Sequence, residues 1–82
     1  MIKMTVFGRD EHCTELVSVV FSHITMFDEN KLDIRFIHPE EQIKLVTCLI
    51  KQHAKFTCEG QVVSFPVSER QRLRYRFDAV TN

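Results

Sequence analysis

The sequence predicts an α/β (α+β) two-layer sandwich, with elements in the order β-α-β-α-β-β and both helices on one face of a four-stranded mixed sheet. Three observations carry this. Segments with apolar residues at every second position alternate with segments whose apolar residues recur at helical spacing. Only two glycines and two prolines occur in 82 residues, which favours compact elements and short connections. The last third holds two alternating segments around a polar turn, the pattern of a β-hairpin.

The first strand is "IKMTVF", with Ile2, Met4 and Val6 on one side and Lys3, Thr5 and Phe7 on the other. Gly8 then permits a turn, and Asp10 is a suitable N-cap for a first helix. Leu16, Val17, Val20, Ile24 and Phe27 follow helical spacing and form its expected apolar stripe. After a polar break, "KLDIRF" alternates again, with Leu32, Ile34 and Phe36 inward. Pro39 opens a second helix, and Glu40 and Glu41 complement the positive end of its dipole. Ile43, Val46, Thr47, Ile50 and Ala54 are its expected buried stripe. "GQVVSFPV" is the third strand, placed at a sheet edge because Pro66 lacks a ladder donor. "SERQ" turns, and "RLRYRFDAV" is the fourth strand, with Leu73, Tyr75, Phe77 and Ala79 inward.

Length and composition set bounds. A single domain over residues 1–82 is expected, and a chain this short buries only ~60% of its unfolded surface. The composition, 44% hydrophobic and 27% charged, is that of a globular protein. The longest uncharged stretch, Leu16 to Phe27, is too short to span a bilayer, so no membrane role is expected. No export signal is read, and Cys13, Cys48 and Cys58 form no disulfide framework; both point to a cytoplasmic location. Formal net charge is zero. Residues 1–41 carry four basic and eight acidic side chains, and residues 42–82 carry seven and three. The zero total argues against a general nucleic-acid-coating protein, while the asymmetry allows a local basic patch.

That patch is expected on the fourth strand. Inward Leu73, Tyr75 and Phe77 place Arg72, Arg74 and Arg76 on the open face of the sheet. If the fourth strand lies beside the second, Arg35 joins them. Phe7 and Val62, with Thr5, Ile37 and Ser64, complete a mixed apolar and arginine surface. Arginine is enriched at protein interfaces. RNA-binding sheets add exposed aromatic rings for base stacking, and only Phe7 is placed outward here.

Other chemistry has less support. Cys13, in register with Leu16, Val17 and Val20, is expected to be a buried structural cysteine. Its alternative is a reactive thiol in the first turn of a helix. Cys48, His53 and Cys58 are too few, and wrongly spaced on a helix, for a zinc site, so no metal and no cofactor are expected. There is no glycine-rich phosphate loop and no nucleophile-elbow pattern, so an enzyme is not expected.

Two resemblances follow from these segments. The hairpin "VVSFP" to "RLRYRFDAV" and the strand "KLDIRF" resemble the C-terminal domain of translation initiation factor three. The position of Cys13 in "HCTEL", after the first strand, is similar to that of the reactive cysteine in the sulfur-carrier proteins of tRNA thiolation. The first resemblance implies ribosome or RNA binding, and the second implies a thiol or sulfur carrier using Cys13. The residues themselves point first to a non-enzymatic binding module whose open sheet face contacts an acidic protein partner or a second copy of itself.

Overall fold

The computed structural model describes residues 1–27, 31–66 and 73–80, and among these the chain forms two antiparallel sheets and one helix. In chain order the elements are β1 (Ile2–Gly8), β2 (Glu15–Phe21), β3 (His23–Phe27), β4 (Lys31–Arg35), α1 (Pro39–Lys51), β5 (Thr57–Glu59), β6 (Val62–Pro66) and β7 (Leu73–Ala79). One sheet has the order β2-β1-β7 and the other β3-β4-β6-β5. The expected polar turn at residues 68–71, with Val67 and Arg72 beside it, lies outside the described residues.

The expected first helix is two strands instead. Val17, Val19 and Phe21 alternate inward, and Val19 and Phe21 are fully buried. The segment is rich in valine, with isoleucine, threonine and phenylalanine after it, and such β-branched and aromatic side chains fit a pleated surface better than a helix. Its apolar residues were dense enough to match a helical stripe as well as an alternating one. Asp10 does accept backbone and hydroxyl hydrogens from its neighbours, but in a hairpin loop. Thr14 N–H donates to its Oδ1 at 3.3 Å, and Thr14 Oγ1 donates to its Oδ2 at 3.4 Å. Gly8 N–H donates to Thr14 O at 2.9 Å and closes the loop. The register then slips between Val6 and Phe7, which pair with Val17 and Glu15 and leave Leu16 as a bulge.

The chain changes sheets at Ser22. Its N–H and its hydroxyl both donate to Arg35 O, at 3.0 and 3.1 Å, so the corner is tied to the end of β4. The inner faces of the two sheets supply the core. Met4 and Val6 of β1, Leu32 and Ile34 of β4, and Val63 and Phe65 of β6 are all buried in the phase that alternation predicts, as is Phe36. Phe21 meets the ring of Phe36 edge-on at 6.0 Å and that of Phe77 at 6.4 Å. Of the inward β7 residues, Leu73 is buried, Tyr75 and Phe77 are half-buried, and Ala79 is exposed.

β6 is an interior strand, not the edge that Pro66 suggested. It pairs with β4 along its length, while β5 reaches only from Val62 to Ser64. Among the described residues Pro66 therefore has a strand neighbour on one side only, and its missing N–H leaves no gap in a ladder there. Gly60 and Gln61 make a two-residue connection between β5 and β6, with Gly60 at φ 60°. Glycine is favoured at the first position of such a turn.

α1 begins at Pro39 as expected, but a different stripe faces the sheets. Leu45, Cys48 and Leu49 are buried, Val46 and Ala54 half-buried, and Thr47 exposed. Ile43 and Ile50 are 64% and 59% exposed. The helix carries two apolar stripes, and the leucine side packs inward together with Gln42, whose Nε2 donates to Gly60 O at 2.8 Å. The far end closes with His53 in the left-handed region, His53 N–H donating to Ile50 O and Ala54 N–H to Leu49 O. This is a Schellman cap with histidine in the usual glycine position. No helix among the described residues is long and apolar enough to cross a membrane.

Candidate functional site

β7 pairs with β1 over its whole length, and this register builds the candidate face. Arg74 lies opposite Phe7, Arg76 opposite Thr5, and Asp78 opposite Lys3. Directly opposite residues share a face in an antiparallel pair. All six side chains therefore project from the outer side of the three-stranded sheet, while Val6 and Tyr75, and Met4 and Phe77, project inward. On the far flank of β1, Ser18 and Val20 oppose Thr5 and Lys3 and extend the same face. Lys3, Arg74 and Arg76 are exposed, and Phe7 and Val20 are half-buried.

The charges on this face are not equivalent. Arg76 Nε lies 3.1 Å from Asp78 Oδ2. Arg76 is exposed and Asp78 half-buried, so the pair contributes little to stability but neutralises one arginine. Arg74 has no ion-pair partner among the described residues. A shallow depression of about 350 Å³ beside it is lined by Phe7, Cys13, Arg74, Tyr75 and Arg76. β7 is the last strand of its sheet, so this depression opens along a sheet margin.

Cys13 reaches the depression from the β1–β2 loop. It is exposed, which corrects the expectation of a buried structural cysteine. The reason is the missing helix: without it, Cys13 no longer shares a stripe with Leu16 and Val17. Its backbone has φ 46°, and its N–H donates to Asp10 O at 3.2 Å. The buried thiol is Cys48 instead. Burial pushes its pKa up, and nearby Lys51 draws it partly back.

Arg35 and Val62 stand elsewhere. They are directly opposed on β4 and β6, on the outer side of the four-stranded sheet, with His23 on the other flank of Arg35. Together with Thr25 and Asp33 they line a second depression of about 170 Å³. The expected single patch is thus divided, because β7 pairs with β1 and β4 pairs with β3 and β6. Ile37 is exposed in the connection before α1, and Ser64 lies on the outer side of β6. Arg72 lies outside the described residues.

A third depression, of about 310 Å³, has Phe56, Phe65 and Pro66 for apolar walls and Lys31 and Lys55 at its margin. Sequence reasoning missed this site; the lysines are far apart in the chain and only the β4–β6 pairing unites Lys31 with Pro66. No group of three or more His, Cys, Asp or Glu side chains suited to a metal ion occurs among the described residues. Cys58, one of the three thiols, instead receives Gln42 Nε2 at 3.0 Å.

No known protein family matches this chain, and no match to it is found among curated proteins or among solved structures.

Proposed function

We propose that this chain is a small non-enzymatic binding module that engages an acidic protein partner through the outer face of its three-stranded sheet. The observation that carries this reading is the opposition of Phe7 and Arg74 across β1 and β7, with Arg76 two residues on. A planar guanidinium beside an aromatic ring offers bidentate hydrogen bonds to a carboxylate and an apolar anchor at one point. Arg76 is engaged by Asp78, while Arg74 has no ion-pair partner among the described residues.

RNA binding through the same arginines is the alternative, and the thiol of Cys13 in the same depression is a further one. One set of measurements separates them. The protein is passed over an immobilised peptide of glutamate and leucine and over immobilised single-stranded RNA, at rising salt. The reading expects retention on the peptide with a component that persists in salt, because apolar burial is not screened. Arg74→Gln and Phe7→Ser should each weaken it. RNA retention that falls with a slope of about 0.7 per neutralised phosphate, and that ignores Phe7→Ser, would establish the alternative. A covalent adduct on Cys13 in protein from its native cell would favour the carrier.

A further inference from the structure

We infer that α1 is a self-association surface, on which a second copy of this chain lays its own α1 antiparallel about a two-fold axis near Thr47. Three features of the helix lead to this. Its outward side carries Ile43 and Ile50, seven residues and nearly two turns apart, both more than half exposed. They fall on one flank of the outward side, with Thr47 between them and Glu40 and Lys51 on the other flank. Charge is arranged end to end: Glu40 and Glu41 in the first turn, Lys51 in the last.

This arrangement is self-complementary in one orientation only. A two-fold axis perpendicular to the helix places Ile43 of one copy beside Ile50 of the other, and the reverse. The midpoint of that pair falls between Val46 and Thr47. The midpoint of Glu40 and Lys51 falls between Leu45 and Val46, about one residue or ~1.5 Å away along the axis. The same operation therefore joins the isoleucines on one flank and the opposite charges on the other. It also sets the two helix dipoles head to tail. A parallel pair would put Glu40 beside Glu40. Glu41 is already engaged, 2.8 Å from Lys44 Nζ, and stays out of the contact, whereas Glu40 Oε1 lies farther from its neighbour, 3.9 Å from His38 Nδ1. This isologous geometry is the commonest in homodimers.

The size of the surface sets the strength. A helix of 13 residues is ~20 Å long. Two such helices side by side bury roughly 800 Å² in total, below the ~1,200 Å² of a stable interface. The dimer is therefore a weak, concentration-dependent one. None of its residues belongs to the outer face of the three-stranded sheet, so it can be tested separately from the function proposed above.

Sedimentation velocity on the full chain, from about 10 μM to about 1 mM, tests this against the ~10⁻³ M scale of marginal association. The expected result is a rise from monomer toward dimer over that range. Ile43→Lys with Ile50→Lys should leave a monomer at every concentration with an unchanged circular dichroism melt, since both side chains are exposed. Glu40→Lys alone and Lys51→Glu alone should each weaken the dimer several-fold, and the two together should restore it. In a Cys13→Ser, Cys58→Ser background, Thr47→Cys should form a disulfide dimer on mild oxidation, because the axis places the two copies of that position together. A monomer throughout, or a dimer indifferent to the isoleucines, overturns the inference. So does failure of the charge swap to restore what each single reversal removes.

Discussion

Phe65 of β6 and Tyr75 of β7 stack face to face across the two sheets, with ring centroids 5.3 Å apart and planes 26° from parallel. This contact joins sheets that share no hydrogen-bonded ladder among the described residues. Phe65→Ala should therefore destabilise the protein by about 3–5 kcal/mol, the usual cost of removing a buried ring. A double-mutant cycle with Phe65→Leu and Tyr75→Leu should give a coupling of about 0.5–1.5 kcal/mol. Additive effects in urea melts would mean that the rings contribute area alone.

Gly60 isolates a backbone effect. A Cβ added there would meet nothing within 4 Å, so Gly60→Ala creates no clash. The left-handed conformation costs an L-residue about 1–2 kcal/mol. Stiffening of the unfolded chain returns about 0.4–1 kcal/mol. The first effect is the larger, and the denaturant midpoint should fall by the equivalent of about 1 kcal/mol. A midpoint that stays or rises contradicts this account of the turn.

The three thiols should separate by accessibility. Cys13 and Cys58 are exposed and Cys48 is buried. A colourimetric thiol reagent should therefore titrate two groups in the native protein and the third only in denaturant. Three fast groups would mean that the leucine side of α1 is not the packed one.

Cys48 also predicts a pH dependence. Burial raises its folded pKa above that of the unfolded chain, so the native state holds its proton longer. Stability from this group is complete below the unfolded thiol pKa and falls as pH rises above it. Cys48→Ala removes the group. The stability gap between wild type and Cys48→Ala should thus narrow as urea melts are moved from neutral to alkaline pH, beginning near pH 9, the ordinary thiol value. A gap that widens would refute the direction of the shift.

Much of the strand phase was legible in the sequence, but the strands β2, β3 and β5 were not. Alternation placed the inward residues of β1, β4, β6 and β7, because a period of two leaves only one choice of face once one apolar residue is fixed. Residues 15–27 misled because leucine, valine and isoleucine were dense enough to satisfy both periods. Ser18 between Val17 and Val19 was the available sign of alternation. On α1 the helix itself was evident, but two apolar stripes competed and only the sheets could choose between them. The candidate face followed the same division. Arg74, Arg76 and Phe7 came together because their phases were right. Arg35 and Val62 did not join them, since pairing between distant strands leaves no mark in local periodicity.

β1 obtains its two partners at very different times. β2 begins seven residues beyond the end of β1, whereas β7 begins at Leu73. At a synthesis rate of ~5–20 residues per second, the first hairpin waits on the order of several seconds for its second neighbour. Through that interval the backbone of Ile2–Gly8 offers an unpaired row of donors and acceptors beside the bare apolar side chains of Met4 and Val6. Neighbouring nascent chains present the same row. Slow codons between β2 and β7 lengthen that interval and should direct more of the product into inclusion bodies.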